Sequence, residues 1–360
     1  MQGDDKVLER FKRAQESLVL QSSDLPLQTI AAMVQAKAID IDPAYQRRER
    51  WSSEKQSALI ESFLINIPIP PVYLSEEDYG RYSVIDGKQR ITAIYKFLTG
   101  SLSLKGIVEL PELNGRTFDQ IPEALKQTLT VRPYLRVVTL LKQSDPELKY
   151  EVFTRLNSGG ERLELQEVRN VAFRGPLNDL IYELAELPFL RQQLKITSPK
   201  SAAYADMTDA EYVLRYFTLR ESWDSFSGSL SRSMDDFMIR NKGRGEDFRE
   251  ELRNKFVDAL DMCRRIWGKN AYRRPTGPGA WRDQTLAGMY DAQMVAVSML
   301  TDEERLRAIR NSVHIANLTE REFLSDQKFE KAVRVATNTP SSVAYRIEKV
   351  YQILVNGGQA

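Results

Sequence analysis

The sequence predicts an α+β protein in which a mixed α/β domain over residues 1–142 is followed by a large all-helical domain over residues 143–360. Three observations support this division. The chain has 360 residues, which is long for one domain. Its first part interleaves short apolar and β-branched runs with helical stretches. From about residue 145 onward, the apolar residues recur only at helical spacing.

Short strands and helices are predicted in turn along the N-terminal domain. Apolar and β-branched runs predict strands at 39–41, 72–74, 82–85, 101–108 and 131–141. Apolar residues at helical spacing predict helices at 4–20, 24–36 and 121–129. Two further helices are expected, one from Ser53, where Ser53 and Gln56 match a capping box, and one after Gly87.

The C-terminal domain is predicted to contain helices only. Their periods place them at 145–156, 165–174, 177–187, 208–221, 230–240, 246–268, 284–299, 302–316, 320–336 and 341–355. Polar and glycine-containing stretches predict loops at 157–162, 197–207, 241–245 and 270–282.

Composition and charge restrict the class of protein. The net charge is +1, so the overall charge does not by itself predict a nucleic-acid partner. The single cysteine, Cys263, excludes an intrachain disulfide and lies in a helical run that predicts a buried thiol. The polar N-terminus and the absence of any run of about 20 apolar residues predict a soluble, cytoplasmic protein without a membrane partner.

The lone histidine excludes several kinds of site. His-based triads and Cys/His zinc sites need more ligands or bases than His314 and Cys263 supply. His314 is therefore expected to be a structural or surface residue on a helix. The sequence also lacks the glycine-rich P-loop pattern that ends in Gly-Lys-Ser/Thr.

A predicted strand, turn and helix over residues 82–98 provide the first candidate site. Asp86-Gly87 is a turn signal, and Lys88, Gln89 and Arg90 follow it at the start of the helix. Backbone N–H groups and the positive end of the helix dipole at such a position favour a phosphate group. The alternative is an ordinary Asp-Gly turn followed by a solvated helix face.

A second segment would complete this site if the strands at 39–41 and 82–85 are neighbours. Tyr45, Gln46 and Arg47 follow the first of these strands. Two guanidinium groups, Lys88 and a helix N-terminus can neutralise a triphosphate, and Asp86 could hold Mg²⁺ or orient a water. The alternative is a surface cluster of arginines.

A glycine-containing turn after the helix at 145–156 is a candidate anion cradle. Arg155 lies in its last turn, and Asn157, Ser158 and Gly159 follow. Asn and Gly permit left-handed or nest-like backbone, whose N–H groups can hold an anion. The alternative is an ordinary glycine cap between two helices.

A basic stretch at 264–282 is the best local candidate for contact with nucleic acid. It contains six cationic residues and no acidic one: Arg264, Arg265, Lys269, Arg273, Arg274 and Arg282. Trp267, Tyr272 and Trp281 interrupt it, and aromatic rings can stack on bases while cations contact phosphates. The alternative is a basic loop that covers the helical domain.

Several segments, in order, resemble one prokaryotic family. They are Tyr45-Gln46-Arg47, Leu59-Ile60-Glu61-Ser62, Ile67-Pro68-Ile69-Pro70-Pro71, Ile85-Asp86-Gly87-Lys88-Gln89-Arg90 and Phe153-Thr154-Arg155-Leu156-Asn157-Ser158-Gly159-Gly160. That family carries a DGQQR motif on a ParB/sulfiredoxin-like fold. It supplies the N-terminal half of GmrSD-type modification-dependent restriction enzymes and related phage-defence proteins. Ala336-Thr337-Asn338, Val343 and Arg346-Ile347 resemble its recurring C-terminal pattern.

The resemblance implies binding, and in several members hydrolysis, of nucleoside triphosphates. It carries over to Asp86, Gly87, Gln89 and Arg90, with Tyr45 to Arg47 as the preceding pocket wall. Lys88 stands where the motif usually has Gln, and an extra cation that stabilises only the bound ground state would not speed turnover. Larger members continue into a histidine-dependent HNH nuclease, a motif that this sequence lacks, which implies a separate nuclease subunit as partner.

The leading hypothesis is therefore a nucleoside triphosphatase of restriction or phage-defence type. It would use Mg²⁺ and the residues Asp86, Gln89 and Arg90 for catalysis. One rival is a ParB-like DNA-binding module without turnover, which would use 264–282 and the cluster Arg47, Arg48 and Arg50. The other is a metal-dependent nuclease with Asp86 as ligand, which is less favoured because two-metal sites need several carboxylates.

Overall fold

A computed structural model describes residues 7–9, 11–12, 15, 17–41, 51–156, 165–198, 201–335 and 337–358. The chain divides into two compact units, Met1–Ala172 and Phe173–Ala360. Of the helix predicted at 4–20, the described residues are helical up to Ser17.

Five strands among the described residues form one mixed sheet in the first unit. They are β1 (Leu20–Pro26), β2 (Ile39–Asp40), β3 (Val72–Asp78), β4 (Arg81–Asp86) and β5 (Tyr134–Leu140). The order across the sheet is β1-β5-β3-β4-β2. The pairs β3–β5 and β2–β4 are parallel, whereas β1–β5 and β3–β4 are antiparallel. The strands predicted at 72–74 and 82–85 are thus confirmed, and they form an antiparallel hairpin.

Helices of the first unit bury apolar stripes against this sheet. They are α1 (Leu27–Gln35), α2 (Ser53–Leu64), α3 (Lys88–Leu98), α4 (Glu123–Val131), α5 (Pro146–Leu156) and α6 (Leu165–Ala172). Ile30, Ile60, Ile94 and Phe97 are completely or almost completely buried in one core with Val72. These residues are the helical-period positions of the sequence, so burial follows the amphipathic pattern.

The strands of this unit differ from the prediction in two places. The prediction missed β1, whose residues are mostly polar and exposed; β1 is held by pairing with β5 rather than by an apolar face. Residues 101–108 are not a strand, although Leu102, Leu104 and Ile107 are buried. Their backbone groups form hydrogen bonds outside the sheet; for example, Lys105 N donates to Ser57 Oγ at 2.9 Å.

The cap of α2 also differs from the prediction. Ser52, not Ser53, is the N-cap, and its hydroxyl accepts from Lys55 N at 3.4 Å. The Gln56 amide donates to Trp51 O at 3.0 Å. Ser53 is already helical, whereas Ser52 is extended, with φ −63° and ψ 161°, as an N-cap residue usually is.

The division between units falls after Ala172, whereas the change in sequence period predicts one after residue 142. Helices α5 and α6 lie between these points and contact β4. Val152 and Leu156 of α5 pack against Ile85 and Leu140. A helical period reports the secondary structure of a segment, but not the sheet against which the segment packs.

Helices make up most of the second unit. They are α7 (Pro176–Ala185), α8 (Pro188–Gln193), α9 (Ala202–Ala205), α10 (Thr208–Ser222), α11 (Leu230–Asn241), α12 (Glu246–Trp267), α13 (Ala287–Met299), α14 (Asp302–Arg310), α15 (Ser312–Ser325), α16 (Gln327–Arg334) and α17 (Pro340–Gly358). The predicted loop at 270–282 contains a two-stranded ribbon, β6 (Pro275–Gly277) and β7 (Ala280–Trp281), so the region is not purely helical.

The stretch predicted as helices 302–316 and 320–336 is divided into three. One break is at Asn311, and the other is at Asp326, whose carboxylate accepts from Lys328 N and Phe329 N at 3.0 Å. A capping carboxylate starts a new helix without interrupting the apolar period.

Two smaller expectations for this unit, those for Cys263 and His314, are confirmed. Cys263 is fully buried, and burial raises the pKa of its thiol well above the ordinary value. His314 is exposed on α15. Over the part of the chain that the structure describes, no helix has both the length and the apolar character needed to span a bilayer.

Candidate functional site

The turn between β4 and α3 can be occupied only by glycine at its centre. Gly87 has φ +97° and ψ 12°, the left-handed region that L side chains rarely adopt. A Cβ placed on Gly87 would lie 2.3 Å from Val72 Cγ1, a distance that no real contact permits. Both the backbone conformation and the space beside β3 therefore require glycine.

Asp86 and Arg90 form an ion pair across this turn. The Arg90 guanidinium also donates to Pro70 O at 3.2 Å, and its side chain is 12% exposed, against 41% for that of Asp86. Arg90 is therefore held between the carboxylate and the proline-rich segment before β3. The Asp86 carboxylate is the more open of the two groups.

The start of α3 presents polar groups beside Asp86. The first intrahelical bond at this end runs from Ile91 N to Gly87 O at 2.9 Å. The N–H groups of Lys88, Gln89 and Arg90 precede that bond and point along the helix axis toward its N-terminus. Together with the helix dipole, they create a positive potential at the turn.

Two other chain segments meet this turn. Strand β2 is the parallel neighbour of β4, so both strands end at the same edge of the sheet. Trp51 N donates to Gln89 Oε1 at 3.3 Å, which brings the chain that enters α2 beside the turn. From the other side, Leu156 at the end of α5 packs near Ile85, the residue before Asp86.

Most other residues predicted for nucleotide binding lie outside the described residues. These are Tyr45, Gln46, Arg47, Asn157, Ser158 and Gly159, and Arg48 and Arg50 lie there too. Arg155 is described; it is exposed on α5 and forms an ion pair with Glu151 one turn earlier. The described segments that flank these residues include Trp51 and Leu156, both of which lie beside the turn.

A resident metal would have few protein ligands here. No group of three or more His, Cys, Asp or Glu suited to a metal occurs among the described residues. Asp86 is a single partly exposed carboxylate that is already paired with Arg90. Such a site fits Mg²⁺ that arrives on the phosphates of a substrate, because Mg²⁺ then needs only one or two carboxylates from the protein.

The basic stretch 264–282 does not form one surface of aromatic and cationic side chains. Trp267 is 4% exposed and its indole N–H donates to Thr319 Oγ1 at 3.0 Å, while Tyr272 is completely buried. These two rings belong to the core and cannot stack on bases. The expectation that Trp267 and Tyr272 stack on bases is wrong. For Trp267 the reason is the helical period of α12, which places its side chain on the buried face of that helix.

The cations of the stretch fall into two groups. Arg264 and Arg265 are exposed, but both pair with Asp261 one turn earlier on α12, and Arg273 pairs with Asp283. Lys269 is exposed, and Arg274, Trp281 and Arg282 lie on or beside the ribbon. The sequence itself indicated the ion pairs of Arg264 and Arg265, since Asp261 lies three and four residues before them.

A comparison with protein families identifies the first unit. Residues 30–174 match the family model described as "GmrSD restriction endonuclease, N-terminal domain". Residues 30–174 belong to this GmrSD N-terminal domain family. The resemblance seen in the motifs is thereby confirmed over residues 30–174, and this domain is of restriction-endonuclease type. The matched range contains Asp86 to Arg90 and ends before the ribbon. Comparisons with curated proteins and with solved structures returned no match.

Proposed function

We propose that the turn from Asp86 to Arg90 binds a nucleoside triphosphate together with Mg²⁺, and that the protein hydrolyses it while acting with a separate nuclease. The observation that carries the proposal is the convergence at this turn. A left-handed glycine, a helix N-terminus, an open carboxylate and an ion-paired arginine lie within five consecutive residues. The GmrSD membership of residues 30–174 supports a ParB/sulfiredoxin-like arrangement for this sheet.

Each residue of the turn has a distinct role in this proposal. The N–H groups at the start of α3 and the Lys88 ammonium bind phosphate oxygens. Asp86 orients the attacking water or binds the metal that accompanies the phosphates; Mg²⁺, when bound, neutralises phosphate charge. Arg90 acts as a positioning residue, because it is tied to Asp86 and Pro70. Gln89, whose Oε1 accepts from Trp51 N, would orient the attacking water or a γ-phosphate oxygen.

Such a site works by position and charge, without a covalent intermediate. We assign to nucleotide binding also Tyr45, Gln46 and Arg47, which follow β2 in the chain, and Arg155, Asn157, Ser158 and Gly159, which lie at and after the end of α5 in the chain. These assignments follow from the parallel pairing of β2 with β4 and from the contact of Leu156 with Ile85.

The test is calorimetric titration with each of the four nucleoside triphosphates and Mg²⁺, combined with phosphate release. We expect Asp86→Asn to retain nucleotide binding and to lose phosphate release. Asp78→Asn is the matched control, because Asp78 is also an ion-paired aspartate of this hairpin but lies at the opposite end, bound to Lys142 at 2.7 Å. Absence of binding for all four nucleotides to the wild type would overturn the proposal.

DNA binding without turnover is a second candidate, favoured by the arginines on the ribbon. Metal-dependent DNA cleavage at Asp86 has less support. Two-metal cleavage needs several carboxylates, and the described residues offer no such group.

A further inference from the structure

A two-stranded ribbon in the second unit brings two arginines face to face. Strands β6 and β7 pair Pro275 with Trp281, and a bond from Arg282 N to Arg274 O at 2.9 Å continues the pairing by one residue. Arg274 and Arg282 are therefore directly opposite each other. Side chains that are opposite in antiparallel strands lie on the same face of the ribbon, with Cβ atoms about 5 Å apart.

The other face of the ribbon is packed inward. Pro275 is buried and Trp281 is half-buried, and successive residues of a strand point to opposite faces. The tip is tied down as well, since Gly279 N donates to Glu320 Oε1 of α15 at 2.9 Å. The ribbon thus holds the two arginines on a supported outer face.

Positive charge on this face is compensated only in part, by Glu330, whose negative charge opposes that of the neighbouring arginines at Arg274. Neither Arg274 nor Arg282 forms an ion pair with any residue that the structure describes, unlike Arg264, Arg265 and Arg273. Partial burial and the positive charges of Arg334 and Arg282 lower the pKa of Arg274. Arg334 itself is paired with Glu330 on α16. Like charges that face each other across strands destabilise a protein, so this arrangement costs stability.

We propose that Arg274, Arg282 and Arg334 form a binding surface for the phosphate backbone of duplex DNA. Phosphate oxygens would remove the repulsion among the three guanidinium groups and accept their hydrogen bonds. The surface extends from the ribbon toward the exposed side of α16, where Lys331 lies one turn before Arg334. Such an extended cationic strip suits successive phosphates of a duplex, and a two-stranded ribbon can enter a major groove.

This surface lies outside the matched GmrSD residues and does not depend on nucleotide binding at Asp86 to Arg90. The experiment measures binding of a fluorescein-labelled duplex of about 30 base pairs by anisotropy across a salt series. We compare wild type with Arg274→Gln/Arg282→Gln. The matched control is Arg264→Gln/Arg265→Gln, which removes two exposed arginines of the same unit that are already paired with Asp261.

We expect the ribbon variant to bind roughly tenfold more weakly or worse and to lower the slope of log K against log salt by about 2, which corresponds to two lost phosphate contacts. The control should match wild type.

Equal binding by the two double variants, or no binding by the wild type, would overturn the proposal. The proposal would also be overturned if inorganic phosphate, at a concentration equal to that of the duplex phosphates, displaced the duplex. The surface would then bind a single phosphate rather than a DNA backbone. Calorimetry with nucleotide on the same variants should be unchanged, which separates this result from the nucleotide proposal.

Discussion

Replacement of Asp291 by asparagine should destabilise the second unit strongly. Asp291 is completely buried on α13, between Arg215 of α10 and Arg346 of α17. Its Oδ1 accepts from Arg215 Nε at 2.5 Å, and its Oδ2 accepts from Arg215 Nη2 at 2.7 Å and from Arg346 Nη2 at 2.5 Å. One carboxylate therefore compensates two buried guanidinium groups.

The magnitude follows from what the substitution leaves behind. The Asp291→Asn change would keep the volume of the side chain but remove its charge and one acceptor. Removing one partner of a buried ion pair costs about 3–5 kcal/mol, because the remaining charge stays buried and uncompensated. With two arginines affected, we expect the upper end of this range, about 5 kcal/mol. That is a large share of the roughly 5–15 kcal/mol by which domains are stable.

Thermal and urea unfolding of the full chain measure this effect. A loss of about 5 kcal/mol in a unit of this size lowers Tm by roughly 10–20 °C. The matched control is Asp283→Asn, because Asp283 also contacts two cations, Lys195 and Arg273, but is 63% exposed. We expect only a small shift there, since solvent screens exposed pairs. Equal Tm values for the two variants would refute the reasoning.

Three other substitutions test single features. Burial raises the pKa of Asp209 to about 6 from its ordinary 3.8. The stability that the protonated Asp209 contributes is therefore full below about pH 4 and is lost as the pH rises through 6, a loss of about 2–3 kcal/mol. Asp209→Asn should remove this pH-dependent loss, measured by urea unfolding at about pH 4 and about pH 7.5. Gly87→Ala should lower the free energy of unfolding by several kcal/mol, of which roughly 1–3 kcal/mol comes from backbone strain and about 1–3 kcal/mol from overpacking. The same change should abolish nucleotide binding. Ser52→Ala should cost about 1 kcal/mol as a lost N-cap, measured by urea unfolding.

Each of these predictions has its own check. A wild-type stability that stays constant between about pH 4 and about pH 7.5 would contradict the assignment for Asp209. Gly80→Ala is the comparison for Gly87, because Gly80 also has a positive φ but no atom within 4 Å of its added Cβ, so only the strain remains. Ser53→Ala should be near neutral, and a larger effect there than at Ser52 would restore the capping box predicted from sequence.

Local chemistry was sufficient to predict the backbone at the centre of the candidate site. The strand, the Asp-Gly turn and the helix at 82–98 depend on backbone preferences and on the apolar period of neighbouring residues, and the structure has all three. The sequence could not predict that Val72 closes the space beside Gly87, because β3 reaches that point through a bulged pairing with β4.

The sequence by itself determined the helical periods, the core positions and the Asp86 to Arg90 motif, because these follow from interactions within a few residues. Tertiary structure decided that β1 joins the sheet and that Asp291 links α10 to α17. Those outcomes depend on partners far apart in the chain. Their energies come from burial and charge in the folded state, which no local pattern of residues encodes.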